Sequence, residues 1–131
     1  MKQLPKIIAV DFDGTIVEHM YPDMGQPVPG AIRTLRKFKQ CGVLLILWTM
    51  RSGETLEEAV QYCKDNGIEF WSVNDNPEQL ESRWSTSPEA YAQLYIDDAA
   101  YGCPLVTPSN GRRPYVDWIH INNHFFGAVM V

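Results

Sequence analysis

The 131 residues fit one domain, 1–131, and a composition of 45% hydrophobic and 21% charged residues is that of an ordinary globular chain. A net charge of −5 disfavours nucleic acid as a partner, because sequence-independent binding to it needs a basic surface. No apolar stretch approaches the roughly 20 residues of a membrane span, so no membrane partner is expected. The start, Met1 to Lys6, runs straight into an apolar segment without a separate leader, which reads as a cytoplasmic protein. Cys41, Cys63 and Cys103 are widely spaced and suggest no zinc site.

Ile7-Ile8-Ala9-Val10 is a short apolar run bounded by turn residues, the pattern of a fully buried strand. Asp11-Phe12-Asp13-Gly14-Thr15 leaves its end, with two carboxylates on alternate positions, a glycine that lets the backbone turn, and a hydroxyl. A loop rich in proline and glycine fills 17–30. Ile32, Leu35 and Phe38 then recur at helical spacing, and Cys41-Gly42 supplies a stop. Val43 to Trp48 is the strongest strand in the chain and runs out into Thr49, Met50, Arg51 and Ser52. Leu56, Ala59, Val60 and Cys63 follow the amphipathic helix rule, with Thr55 and Glu58 predicted as a capping box and Gly67 as the end. Residues 69–73 predict a third strand, and 74–88 a long polar loop. Ser87-Pro88-Glu89 predicts another helix start. Leu94-Tyr95-Ile96 predicts a fourth strand, ending at Asp97-Asp98. Pro104-Leu105-Val106 predicts a fifth, edge strand, and Trp118, Ile121 and Phe125 a final helix. The apolar tail from Phe125 to Val131 offers a surface for packing on a second copy, so a homo-oligomer is possible.

Strands alternating with helices imply βαβ units: an α/β, Rossmann-like three-layer sandwich, mostly parallel, with helices on both faces. The loop at 17–30 is too short for a separate cap domain. In such a sheet the strand ends share one edge, so Asp11, Asp13, Thr49, Asp97 and Asp98 converge although far apart in sequence. Four crowded carboxylates repel and raise one another's pKa. A hard cation removes that cost, and an all-oxygen set without His or Cys favours Mg²⁺ over zinc.

The order Asp11-Phe12-Asp13-Gly14-Thr15, then Thr49 after an apolar strand, then Asp97-Asp98 after another, resembles the haloacid dehalogenase-like (HAD) superfamily of phosphohydrolases. The resemblance covers about residues 6–103 and implies a Mg²⁺-dependent phosphatase acting through an aspartyl-phosphate. It implies Asp11 as the nucleophile and Asp13 as the group that protonates the leaving oxygen and then activates water. It implies that Gly14, Thr15, Thr49, Met50 and Arg51 bind the phosphate, with Gly14 and Thr15 shaping the turn around the transferred group. Asp11, the Asp13 carbonyl and the Asp97-Asp98 pair become the metal ligands. The substrate is then a phosphorylated small molecule or macromolecule. One residue departs from the pattern: the family's lysine before the last acidic strand falls on Glu89 here. That reversal of charge carries the alternative of an impaired member that binds Mg²⁺ and a phosphorylated ligand without efficient turnover. Arg83, Arg51 and Lys64 are the cations that could replace it. A receiver-type phosphoacceptor module is disfavoured, because there the acidic pair comes first.

Overall fold

The computed structural model describes residues 3–76 and 89–127. Strand β1 spans Ile7–Val10, helix α1 Ala31–Gln40, β2 Leu44–Leu47, α2 Gly53–Asp65, β3 Ser72–Val73 and β4 Leu94–Ile96. A short pair, β5 at Leu105–Val106 and β6 at Tyr115–Val116, precedes α3 at Trp118–Phe126. The main sheet runs β3-β2-β1-β4, with every described pairing parallel. The fold is α/β and Rossmann-like.

All four residues of β1 are buried, as expected of a central parallel strand covered on both faces. Ile8 and Val10 point to one face, where Leu35 and Phe38 of α1, Ala59 and Cys63 of α2, and Trp118 and Ile121 of α3 close over Leu45 and Leu47. Ile7 and Ala9 point to the other, joining Ile46, Ala90, Trp48, Trp71 and Tyr95. Among the described residues that second face is covered by the 89–93 segment rather than by a helix.

The start of α2 lies earlier than predicted. Ser52 is the N-cap residue, and Thr55 sits inside the first turn, where its hydroxyl donates to the Ser52 carbonyl at 2.8 Å. A capping box from Thr55 therefore does not form. The helix predicted from Ser87-Pro88-Glu89 begins outside the described residues, and 89–93 is irregular. The backbone groups a helix would use are taken: Asn76 Nδ2 donates to the Glu89 carbonyl at 2.8 Å, and the Tyr91 N–H donates to Asn76 Oδ1 at 2.7 Å. The third strand is shorter than 69–73, although the Trp71 N–H still bonds the Leu45 carbonyl at 2.7 Å. The predicted edge strand at 104–106 does not join the main sheet. It pairs antiparallel with β6, which sequence reading missed, and the Val116 N–H donates to the Gly14 carbonyl at 3.1 Å. The hairpin thus braces the turn after β1. The final helix forms as predicted, with Asp117 capping it by accepting from the His120 N–H.

Candidate active site

From β1 the chain adds β2 and β3 on one side, then returns to place β4 on the other. Such a reversal opens a crevice at the carboxyl ends of the strands. Asp11 follows β1 and Asp97 follows β4, and the Asp11 N–H donates to the Ile96 carbonyl at 2.9 Å, carrying the ladder one residue further. Carboxylate oxygens of Asp11, Asp97 and Asp98 all lie within 4.8 Å of one another.

The turn after Asp11 is built to admit this cluster. Gly14 takes a left-handed φ of 84°, and a Cβ there would sit 2.3 Å from Asp98 Oδ2. Its N–H donates to the Val17 carbonyl and its carbonyl accepts from Val116. Neither backbone group is left for a phosphate, so the Gly14 assignment becomes one of space. Thr15 is fully buried. Its hydroxyl donates to Asp11 Oδ2 at 2.9 Å and accepts from the Asp98 N–H at 3.2 Å, while its carbonyl accepts from Trp118 Nε1 at 2.6 Å. The structure thus makes Thr15 a bridge between the two acidic strand ends rather than a phosphate ligand.

Burial pushes the Asp11 carboxyl up to about 8, and the neighbouring charge of Asp97 adds to the shift, against the opposing Thr15 bond. Burial raises Asp98 as well, partly offset by its bond with Asp11. Three crowded, half-buried carboxyls with only oxygen donors fit a hard divalent cation, whose charge would favour their ionised forms. Asp13 is not among them. Its carboxylate receives Arg51 Nε at 2.8 Å and an Arg51 terminal nitrogen at 2.7 Å.

Arg51 itself is sealed. Its side chain is 0% exposed, against 12% for Asp13. Its remaining donors reach the Thr55 and Asp23 carbonyls, and its guanidinium lies 5.0 Å from the Phe12 ring centre and 5.4 Å from that of Tyr21. The bond to Asp13 raises its pKa. Every face of the guanidinium is occupied, so Arg51 is withdrawn from the phosphate role expected of it. Its work is to tie the loop at 17–30 to Asp13.

A cleft of about 300 Å³ opens beside the acids, lined by Asp11, Trp48, Thr49, Met50, Asn74 and Asp97. Thr49 stands here as predicted. Its N–H is taken by Asn74 Oδ1 at 2.8 Å, and its hydroxyl oxygen accepts from the Arg51 N–H at 3.2 Å, leaving the hydroxyl proton to donate. Met50 is 96% exposed at the rim. Asn74 was missed in the sequence; a lone Asn after a strand reads there as a turn residue. Glu89 is exposed and does not line the cleft. Lys64 is exposed on α2, and Arg83 lies outside the described residues. Cys63 is buried in the core with its thiol pushed up to about 12 by burial, which makes it inert.

A solved structure of a conserved protein coded by a locus from Bacteroides thetaiotaomicron is similar to this chain. The two are 40% identical with a TM-score of 0.72, over 89% of this chain and 86% of that one. The chain belongs to the family of that conserved protein. No family model and no curated protein matches it.

Proposed function

We propose that the protein is a Mg²⁺-dependent phosphohydrolase of the haloacid dehalogenase-like kind, with Asp11 as nucleophile. The observation that carries this reading is the place of Asp11, which belongs at once to the three-carboxylate cluster and to the cleft holding the Thr49 hydroxyl. Asp11, Asp97 and Asp98 would hold the cation, with the Asp13 carbonyl beside them. Bound there, it would keep the carboxylates ionised and offset phosphate charge.

In the first step an Asp11 carboxylate oxygen attacks phosphorus, the bond from phosphorus to the ester oxygen breaks, and the leaving oxygen takes a proton. In the second, water adds to the phosphorus of the aspartyl-phosphate, loses a proton, and restores Asp11 with release of phosphate. Thr49 holds a phosphoryl oxygen through its hydroxyl proton. Thr15 fixes the attacking carboxylate through Oδ2. Asp13 stands two residues on and is the proton carrier. Both of its oxygens accept from Arg51, so delivery requires one of those bonds to give way to the leaving oxygen.

Phosphate release from an aryl phosphate, with Mg²⁺ and with chelator, tests the reading. Turnover that needs Mg²⁺ and falls at least about 10³-fold in Asp11→Asn is the expected result. A second reading, binding of Mg²⁺ and a phosphorylated ligand without efficient turnover, draws on the cleft lining, which among the described residues contains no cationic side chain. Calorimetric binding of a phosphate ester without its hydrolysis is the outcome that favours it.

A further inference from the structure

Asn74 is the only non-glycine among the described residues with a positive φ, 53°. Left-handed backbone is costly for most residues and tolerated by Asn, and it gathers where a side chain must be aimed. Here the aim is set at both ends. The Asn74 N–H donates to the Leu47 carbonyl at 2.8 Å, which holds the backbone to the end of β2. Its side-chain Oδ1 accepts the Thr49 N–H at 2.8 Å, which fixes which end of the amide faces Thr49. No described residue accepts from Asn74 Nδ2, and among the described residues no buried polar side-chain atom lacks a partner, so that nitrogen is accessible, on a residue that lines the cleft with Asp11 and Thr49. An amide nitrogen carries two hydrogens to donate.

The neighbouring groups give this donor its importance. Arg51 is spent on Asp13, Gly14 and Thr15 are spent inside the turn, and the Thr49 N–H is spent on Asn74 itself. Thr49 and Asn74 therefore line with Asp11 a cleft in which their side chains hold the donors not yet used. We propose that Asn74 is a phosphate-binding residue of this cleft, its Nδ2 donating to a phosphoryl oxygen beside the Thr49 hydroxyl while its Oδ1 locks the Thr49 backbone. The inference rests on the phosphohydrolase reading and adds to it a residue that supplies neutral donors where no described cation lines the cleft.

The test is calorimetric titration of inorganic phosphate into the Mg²⁺-loaded protein, for wild type, Asn74→Asp and Asn74→Gly. Asp keeps an acceptor for the Thr49 N–H but turns a carboxylate oxygen where the donor was. Gly suits the backbone and removes the donor without adding charge. Asn74→Asp should weaken phosphate binding at least about tenfold, the effect of losing one hydrogen bond to a charged group, with Mg²⁺ affinity retained and the melting temperature close to wild type. Asn74→Gly should weaken it as well, by less. Wild-type affinity in Asn74→Gly overturns the proposal, because the loss in Asn74→Asp is then repulsion alone. Wild-type affinity in Asn74→Asp overturns it too. If the wild type binds no phosphate with Mg²⁺, the phosphohydrolase reading fails and this inference falls with it, a result distinct from tight binding that ignores Asn74.

Discussion

At the scale of the residue, the acids after β1 depend on two buried side chains, Thr15 for the cluster of Asp11 and Asp98 and Arg51 for Asp13. Thr15→Val keeps the shape and removes the hydroxyl, which strips Asp11 of a donor and leaves the half-buried Asp98 N–H without its acceptor. It should cost about 1–3 kcal/mol in chemical denaturation and also slow any Asp11-dependent turnover. Arg51→Met should be worse, about 3 kcal/mol or more, because it leaves Asp13 as a nearly enclosed carboxylate without its cation. Arg51→Met with Asp13→Asn should recover part of that loss. If the double variant were as unstable as the sum of the singles, pairing would not be the reason. Asp11, Thr49, Asp97 and Asp98 were legible as a site because their residue types and strand-end positions suffice to bring them to one edge. Arg51, Thr15 and Gly14 were read as phosphate-facing, since a sequence gives direction along the chain but not which donors are already taken.

Among the elements, the parallel sheet was legible because its strands are continuous apolar runs, a pattern demanded by cover on both faces. Helix α1 was equally legible, its Leu35 and Phe38 repeating on the buried side. Phe38 meets Phe125 and Phe126 of α3 at ring-centre distances of 5.4 and 5.1 Å, and Lys37 reaches Asn122 Oδ1 at 2.8 Å. Phe38→Ala should therefore destabilise by about 3–5 kcal/mol and loosen α3, read by urea denaturation and by faster amide exchange over 118–126. The hairpin of β5 and β6 was only half seen: each strand is two residues long, too short for any periodicity to announce it. The irregular course of 89–93 was missed because Asn76, thirteen residues before Glu89, takes the backbone groups a helix would need.

For the whole molecule, the half-buried Asp11 at the switch point links stability to pH. Asp11 titrates near 8 in the folded chain against an ordinary value of 3.8, so the folded state holds a proton that the unfolded state has lost between those limits. That contribution is full below about pH 4 and disappears as pH rises through about 8. In chelator, this group should therefore make the melting temperature fall between pH 5 and pH 8, roughly the window of its shift. Mg²⁺ should raise it more at pH 8 than at pH 5, and a flat profile in Asp11→Asn would assign the slope to this residue. By itself the sequence determined the alternation of strands and helices and the polar groups at the strand ends, because burial pattern and turn chemistry are local properties of the chain. Only the tertiary structure decided that β4 lies against β1, that Arg51 belongs to Asp13, and that Asn74 faces Thr49. Those pairings join residues from 25 positions apart, between Thr49 and Asn74, to 86, between Ile8 and Leu94, and depend on how the chain crosses the sheet and which donors that crossing leaves open.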